Sequence, residues 1–457
     1  MRRVAALLVC LSVLVAACGT RESGPPPGGD SGVATPTSAP ASGGAGANDK
    51  VGTLRAACGS GHPARGSTDR GVTDRTIAIG VISDKSGVVA VPTAGIDGSV
   101  EAFVAFCNSL GGINGRRLVL KHYDSKILAE GDAMKQACDD DIFALVGSGS
   151  VQDDQGALTM VQCKLVEVAA YTATYVKGLS PRVFSPVPNP GDQYPVGTGR
   201  FIAKRFPDAV RKAAILWPNL PVARTQVARV RDAYGTVGFD FTYANPTDVL
   251  VQNWAPLVNT LKEKHVEWIS DVTTLAEMEH LLQAMSDASW KPTVVDLGQQ
   301  YYDESLPGKP GTEGALVLTN TAPFEEADRN PALQTYLHWL KQASPGTPPT
   351  TLGVQAFSAG LLFAQAAGAL GSDLTRSGLI DQLKKIKEWN GGGLQAPADP
   401  GDNQGLRCFL YMQIEGSKFV RYWPEKPTDG TLGFDCASDN SMPLTRAYET
   451  LPPGFGP

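Results

Sequence analysis

The sequence predicts an α/β protein with two doubly wound parallel-sheet lobes. Short β-branched and aliphatic runs alternate with amphipathic segments of helical length, which is typical of βαβ units and parallel sheets. The alternation is broken once by a proline-dense stretch at 185–190 (SPVPNP), which separates two blocks because proline disfavours regular structure. Near the C-terminus the pattern changes, and two β-rich runs on either side of Glu415 and Gly416 predict a hairpin.

Each element of the first block follows from its local pattern. Residues 76–82 (TIAIGVI) form a strand candidate, and in the helix predicted at 98–110 three apolar residues, Val100, Phe103 and Val104, share one face. The same criteria predict further strands at 118–120, 142–146 and 166–170, and helices at 131–138 and 156–164.

The alternation resumes after the proline-dense stretch. The hairpin is predicted to pair 405–412 with 418–422, and no periodic signal follows it. Between the proline-dense stretch and the hairpin, strands are predicted at 213–216, 239–243, 266–270, 293–295 and 315–318. Helices are predicted from 224 and at 254–264, 275–289, 331–342, 355–370 and 375–386.

Length and charge argue against several protein classes. The chain has 457 residues, which suggests two or three domains. Its formal net charge of −6 argues against a nucleic-acid binder, because such proteins need a basic surface to displace phosphate counterions. Beyond the first residues, no apolar run reaches the roughly 18 residues that span a bilayer, which excludes a polytopic membrane protein.

The N-terminal segment has the pattern of a secretory signal. Arg2 and Arg3 precede an almost wholly apolar run at 4–17, and Cys18 follows directly after Val-Ala-Ala. A cysteine in this place resembles the lipobox of bacterial lipoproteins, in which the cysteine is acylated and becomes the mature N-terminus. The alternative is an ordinary secretory signal with a chance cysteine. We expect a signal peptide at 1–17 and a lipid anchor on Cys18 at the extracytoplasmic face of the cell membrane.

The segment after Cys18 is rich in Gly, Pro, Ser, Ala and Thr, a composition that cannot bury a core. We therefore expect residues 18–57 to be a lipidated cysteine with a flexible linker.

Six cysteines remain after Cys10 and Cys18 are set aside, and an even number outside the cytoplasm suggests up to three disulfides. We expect Cys107 to pair with Cys138, because both lie near the ends of consecutive helices that can pack side by side. The same reasoning pairs Cys408 with Cys436 across the C-terminal hairpin region. Elimination then leaves Cys58 with Cys163.

The first predicted βαβ unit carries the most specific sequence. It reads GVTDRTIAIGVISDKSG at 71–87 and GGINGRRLVLKHYDSK at 111–126. Gly111 and Gly112 can end the intervening helix in left-handed geometry, and Asn114 with Gly115 can make the turn into the next strand, although ordinary α/β turns use the same residues. Together these segments resemble the leucine/isoleucine/valine-binding protein family, the type I periplasmic solute-binding proteins of ABC importers, and the similarity extends over about 71–422.

The resemblance implies two lobes of the type I periplasmic-binding-protein fold, joined by several crossings, with a ligand cleft between them. It assigns 71–188 and 318–403 to lobe 1, 189–317 and 404–440 to lobe 2, and 441–457 to a tail.

The resemblance also indicates where a ligand would bind in lobe 1, because ligands of parallel α/β sheets sit beyond the carboxyl ends of the strands. Relatives that bind amino acids use the loops after strands 3 and 4 to hold the ligand carboxylate. We expect an anionic-group pocket lined by hydroxyls of those loops, although each hydroxyl could instead cap a helix. The candidates on lobe 1 are Ser86, Ser148, Ser150, Gln152, Tyr171, Thr172 and Thr174.

Lobe 2 departs from the family pattern. Relatives that bind α-amino acids place an acid after the strand that corresponds to 293–295, where this chain has Asp296 and, further on, Gln299 and Tyr301. Asn219 follows the first strand of this lobe, where relatives have an aromatic residue, and Thr274 is a weaker candidate. An α-ammonium group therefore has no clear partner in the sequence.

Enzyme and metal signatures are missing from the sequence, which contains no GxSxG, no Walker A motif and no GxGxxG after a strand. Asp153 and Asp154 could be catalytic, or could lie in the first turn of a helix and offset its dipole. We expect no catalytic activity, no cofactor and no metal.

These observations lead to one functional hypothesis and one alternative. We expect a monomeric, lipid-anchored substrate-binding subunit of an ABC importer, which captures a small polar solute by lobe closure and presents it to a membrane permease. The expected solute classes are an amino acid, an amide or a short carboxylate. The alternative is a ligand-sensing receptor of the same fold that signals to a membrane partner.

Overall fold

The computed structural model describes residues 49–58, 63–87, 93–426 and 432–455. The predicted signal peptide at 1–17 and the predicted lipid site at Cys18 lie outside these residues. No helix in the described part of the chain is both long and apolar enough to cross a membrane.

The last part of the predicted linker is folded. Residues 49–57 contain a short antiparallel pair, β1 (Lys50–Val51) and β2 (Leu54–Arg55). Val51 and Ala57 are fully buried in the first hydrophobic core. Residues 49–57 therefore belong to the folded protein and not to a flexible linker, because Val51 and Ala57 are buried in its core.

The first sheet has five strands, all parallel, in the order β4-β3-β5-β6-β7. Helices lie on both faces, so β5 is buried along its whole length, as expected for a sheet covered on two sides. The elements are β3 (Thr76–Ser83), α1 (Ala94–Ser109), β4 (Arg117–Asp124), α2 (Glu130–Asp139), β5 (Ala144–Val146), α3 (Asp154–Gln162), β6 (Glu167–Val168), α4 (Tyr175–Gly178) and β7 (Val183–Phe184).

The second sheet has eight strands and is mixed. Its core, β10-β9-β11-β12-β13, is parallel, and β14 and β15 add to it as an antiparallel hairpin with β16 beside β14. The predicted hairpin is thereby confirmed. Before this sheet the chain forms β8 (Gln193–Pro195) and α5 (Gly197–Arg205); the sheet and its helices are β9 (Ala213–Pro218), α6 (Pro221–Gly235), β10 (Phe241–Thr247), α7 (Ala255–Glu263), β11 (Trp268–Asp271), α8 (Leu275–Asp287), β12 (Val294–Leu297), β13 (Leu316–Thr319), β14 (Cys408–Glu415), β15 (Lys418–Trp423) and β16 (Asp435–Cys436).

Three helices between β13 and β14 return to the first sheet. They are α9 (Pro331–Ala343), α10 (Thr351–Gly368) and α11 (Arg376–Leu383), and their apolar residues share one core with α1. The rings of Phe103 and Phe357 meet edge to face at 6.3 Å. A Cβ at Gly360 would lie 2.3 Å from the Phe103 ring, so α10 can approach α1 this closely because Gly360 has no side chain. We call the first sheet with its helices and α9–α11 lobe 1, and the second sheet with α5–α8 lobe 2.

The C-terminal tail contains a strand that the sequence did not indicate. β17 (Ser441–Pro443) pairs antiparallel with β8, so the tail is fixed to the segment where the chain passes from lobe 1 to lobe 2.

The structure corrects two of the three predicted disulfides. Its bonds join Cys58 to Cys107, Cys138 to Cys163, and Cys408 to Cys436. The predicted pairs Cys107–Cys138 and Cys58–Cys163 are wrong because their members belong to different cores of the first sheet. Cys58 and Cys107 lie in the core shared with α10, whereas Cys138 and Cys163 pack against the core beneath α2 and α3. The pairing of Cys408 with Cys436 agrees with the prediction.

Candidate functional site

A cavity of about 400 Å³ lies between the two lobes. Its walls come from the loops at the carboxyl ends of parallel strands in both sheets, where α/β proteins bind ligands. From lobe 1 these are Val151 after β5 and 171–173 after β6; from lobe 2 they include 272–274 after β11 and 298–300 after β12. The cavity thus occupies the cleft that the sequence predicted.

The cavity is mainly apolar and carries no formal charge within the described residues. Its polar side chains are neutral amides and hydroxyls. The lining consists of Ile127, Val151, Tyr171, Thr172, Ala173, Val187, Pro188, Asn189, Pro190, Gln193, Tyr194, Pro195, Pro218, Leu220, Val222, Ala223, Gln226, Val249, Val272, Thr273, Thr274, Gly298, Gln299, Gln300, Leu318, Asn320, Leu352, Gln355, Gly405 and Leu406.

The loop after β6 contributes two of the predicted residues, Tyr171 and Thr172, to the cavity. Asn189 lies where the chain passes between the lobes, and it makes two hydrogen bonds with Thr172. Its Nδ2 donates to the Thr172 carbonyl at 2.9 Å, and the Thr172 hydroxyl donates to the Asn189 carbonyl at 3.4 Å. Burial raises the pKa of the Tyr171 phenol well above its ordinary value, so this side chain is a neutral hydroxyl at the cavity wall.

Of the four hydroxyls predicted to form an anionic-group pocket, that of Thr172 lines the cavity, whereas Ser148, Ser150 and Thr174 are not among the described lining residues. The Ser148 hydroxyl accepts the Ile82 backbone N–H at 3.0 Å. The Thr174 hydroxyl caps α4 by accepting the Lys177 N–H at 3.2 Å. Ser150 is buried, and its hydroxyl has no partner within the described residues. The hydroxyls of Ser148 and Thr174 therefore bond to the backbone, and that of Thr174 is a helix cap, which is the alternative given for each hydroxyl in the sequence analysis.

The remaining lobe 1 candidates, Ser86 and Gln152, lie outside the cavity lining. The Ser86 hydroxyl donates to Asp124 Oδ2 at 2.6 Å on an exposed loop. Gln152 accepts from the side chain of Gln155 at 2.9 Å. Ser86 is thus bonded to the end of β4, and Gln152 to the first turn of α3.

A buried group of charges supports the loop after β6. Asp153 accepts the backbone N–H groups of Ala173 and Thr174 at 2.8 and 3.0 Å, so this carboxylate orders the loop. The Nζ atom of Lys177 lies 2.7 Å from Glu167 Oε2 and 3.7 Å from Glu130 Oε1. Burial raises the pKa of Asp153 to about 7 and that of Glu130 to about 8, against the attraction of Lys177.

On lobe 2, Thr274 and Gln299 line the cavity, whereas Asn219 and Tyr301 do not. Thr274 also caps α8 by accepting the Glu277 N–H at 3.3 Å. Asn219 is exposed and accepts from Arg224 at 3.3 Å. Tyr301 is fully buried, and its hydroxyl accepts the Thr273 N–H at 2.8 Å. Tyr301 therefore positions a cavity loop from behind.

Asp296 does not replace the acid that amino-acid-binding relatives use. It is a buried residue of β12 in the second sheet, where its carboxylate accepts from Trp268 Nε1 and from the Tyr411 hydroxyl, both at 3.1 Å. Burial raises its pKa to about 7. Asp296 lies outside the cavity lining, so it does not offer a charge to a ligand there.

A cluster of three amides at the cavity was missed by the sequence analysis. Gln355 of α10 is fully buried, and its Nε2 donates to Gln299 Oε1 at 3.1 Å and to Asn320 Oδ1 at 3.0 Å. Gln355 Oε1 has no partner within the described residues. We call Gln299, Asn320 and Gln355 the amide cluster. The signal that could have found it is a glutamine near the start of a helix whose other residues are mostly apolar, TLGVQAFSAGLLFAQAAG.

A second depression, of about 650 Å³, lies within lobe 2 and differs in character. Phe201 and Trp423 stack at 5.2 Å beside charged groups that already have partners. Arg421 is bonded to Glu326 at 2.7 Å, and Arg200 to Asp439 at 2.9 Å. All its lining residues belong to lobe 2 or the adjoining tail, so closure of the lobes would not enclose it.

No group of three or more His, Cys, Asp or Glu residues in the described ranges is arranged to hold a metal ion.

Comparison with known proteins identifies the family. The family model "periplasmic binding protein" matches residues 76–418. No curated protein matches the chain. The chain is similar to the solved structure of a leucine binding protein, LivK, from Thermotoga maritima, with TM-score 0.62 and 14% identity over 76% of this chain and 98% of that one.

Two further solved structures share the fold. A fatty acid ABC transporter substrate-binding protein from Thermomonospora curvata has TM-score 0.63 and 16% identity, covering 78% of this chain and 94% of that one. A solute binding protein of an ABC transporter from R. palustris, in complex with 4-hydroxybenzoate, has TM-score 0.62 and 16% identity, covering 76% and 95%. The family match, the two parallel sheets and the cavity between them agree with one another. The chain belongs to the periplasmic binding protein family, whose members bind substrates and are not enzymes.

Proposed function

We propose that this protein is the lipid-anchored, extracytoplasmic substrate-binding subunit of an ABC importer. The observation that carries the proposal is the cavity between the lobes, built from the strand ends of both sheets. A solute in this place contacts both lobes, so binding favours the closed arrangement over an open one. The closed, loaded protein then presents the solute to a permease in the membrane.

The two lobes in this proposal follow the divisions expected from the sequence. Lobe 1 comprises 71–188 and 318–403, and lobe 2 comprises 189–317 and 404–440. The three passages between them act as the hinge. Similar folds in solute binding proteins of ABC transporters support this assignment.

The anchor is proposed from the N-terminal sequence. Cys18 after Val-Ala-Ala would carry the lipid, and the residues before 49 would tether the folded part to the membrane surface.

A thermal-shift screen over amino acids, amides, short carboxylates and sugars tests the binding role. A solute at a hundred times its Kd stabilises the folded state by about 2.7 kcal/mol, which gives a clear rise in Tm. Val249 and Leu250 offer a matched pair on one loop, because Val249 lines the cavity whereas Leu250 is 51% exposed and does not. We expect Val249→Trp to fill part of the cavity and remove the shift, and Leu250→Trp to keep it. An equal shift in both variants would contradict binding in this cavity.

A further inference from the structure

We propose, on the basis of the proposed function, that the solute is an uncharged organic molecule with an apolar body and one polar end that both donates and accepts hydrogen bonds, such as a carboxamide. This inference names the substrate class of the cavity between the lobes.

The charge of the cavity walls limits which ligands can bind. No residue among the described cavity lining is Asp, Glu, Lys, Arg or His. A carboxylate or ammonium group that leaves water is strongly disfavoured in an apolar site unless an opposite charge or several hydrogen bonds compensate it. The acid that the family pattern offered, Asp296, is bonded to Trp268 and Tyr411 within the sheet. A charged ligand would therefore meet no opposite charge on the described walls of the cavity.

The amide cluster can both accept and donate hydrogen bonds. Gln355 Nε2 is satisfied by two carbonyl oxygens, and Gln355 Oε1 is left as a buried acceptor without a partner in the described residues. The amide nitrogens of Gln299 and Asn320 also make no hydrogen bond within the described part of the chain. The cluster thus presents an acceptor and donors on the same cavity wall.

A carboxylate offers acceptors alone and an ammonium group offers donors alone, so each would leave part of the amide cluster unmatched. A carboxamide offers both kinds of group. The requirement is the same if all three side-chain amides are reversed together, since Gln355 would then expose its nitrogen and the other two amides their oxygens. Buried polar groups left unpaired are costly, so this cluster selects for a ligand end of mixed character.

The remaining walls of the cavity are mainly apolar. They consist largely of aliphatic side chains from both lobes, including Val151, Val187, Leu220, Val272, Leu352 and Leu406. At roughly 30 Å³ per molecule, a cavity of this size corresponds to about 13 waters. Release of water from these aliphatic walls favours an apolar ligand body.

A probe series with one carbon skeleton tests the inference. We would titrate the full chain calorimetrically with adamantane carboxamide, adamantane carboxylate, adamantylmethylammonium and adamantyl methyl ketone, and repeat the series with cyclohexane analogues. We expect the carboxamide to bind at least about tenfold more tightly than either ion and than the ketone, which accepts but does not donate.

Two glutamines of α10 provide matched variants. Gln355→Met removes the unpartnered buried acceptor of the amide cluster at similar volume, and we expect it to reduce the preference for carboxamide over ketone. Gln365→Met is the control, because Gln365 donates to the Ala56 carbonyl at 2.8 Å and does not line the cavity. We expect it to keep the preference.

The outcomes separate this inference from the proposed function. Equal or tighter binding of the carboxylate or ammonium probe by the wild-type chain would overturn the inference and leave a solute-binding function intact. A preference unchanged in a folded Gln355→Met variant would overturn the placement of the polar end. If neither these probes nor the solutes of the thermal-shift screen stabilise the protein, the proposed function itself is wrong.

Discussion

Asp271 allows a quantitative test of how the second lobe is built. It ends β11, directly before the cavity residues Val272 and Thr273, and its side chain is 1% exposed. Neither carboxyl oxygen has a hydrogen-bond partner within the described residues. Burial raises the pKa of this carboxyl from its ordinary 3.8 to about 7, against the opposing effect of the nearby Val272 backbone N–H and with a smaller contribution from Glu277. The folded protein therefore holds a proton here that the unfolded chain has already released at neutral pH.

The sign of the effect follows from this difference. The folded state binds more protons than the unfolded state between about pH 4 and pH 7, so the free energy of unfolding falls as the pH rises through this range. Raising the pKa from 3.8 to about 7 lowers the free energy of unfolding by about 4 kcal/mol, and this full loss is reached above the pKa of the folded state. Asp271→Asn removes the ionisable group at the same size. We expect the variant to be about 4 kcal/mol more stable than wild type near pH 8 and within about 1 kcal/mol of it near pH 4.

The assay is denaturant unfolding of wild type and variant at several pH values, with the difference between them as the readout. Other buried carboxyls with raised pKa values, Glu130, Asp153 and Asp296, cancel in this difference. Asp208→Asn serves as the control because Asp208 is exposed, and we expect its difference to be small and flat with pH. A pH-independent difference for Asp271→Asn, or a loss of stability near pH 8, would refute the reasoning.

Three further predictions address the disulfides, the loop after β6 and the anchor. Replacing both Cys138 and Cys163 by serine opens a loop with a sequence separation of 25, and we expect the free energy of unfolding to fall by about 3 kcal/mol because the unfolded chain gains entropy. Peptide mapping that links Cys138 to Cys107 would contradict the pairing. Thr174→Val should cost at least about 1 kcal/mol of stability, because its hydroxyl caps α4 and also donates to the buried Asp153 carboxylate, and it should leave solute affinity unchanged in calorimetry. A selective loss of affinity would return this hydroxyl to the binding site. Cys18→Ser should move the protein from the membrane to the soluble fraction, and unchanged membrane association would exclude the lipid anchor.

Much of the fold could be predicted because it depends on local periodicity. Continuous aliphatic runs such as the one in Thr76–Ser83 indicate buried parallel strands, and the family resemblance supplied the two-lobed arrangement. The pairing of cysteines could not be predicted, because the sequence does not say on which face of the sheet each helix packs. The strand Ser441–Pro443 was missed since three residues are too short for any periodic signal.

The candidate site was predicted in part. The rule that ligands bind at the carboxyl ends of strands placed Thr172 and Gln299 at the cavity. It could not distinguish a hydroxyl directed to the cavity from one bonded to backbone, which is the role of Ser148. Gln355 was missed because it reaches the cavity from a helix distant in sequence, and only tertiary packing brings it to Gln299.

The central claim is that an uncharged solute binds between the lobes with its polar end on the amide cluster. A crystal structure of the protein with adamantane carboxamide tests it most directly. We expect density for the probe in the cavity, with its carboxamide within hydrogen-bonding distance of Gln355 and its carbon cage against Val272 and Leu352. Density in the lobe 2 depression beside Trp423, or a probe whose carboxamide faces away from Gln355, would contradict the claim.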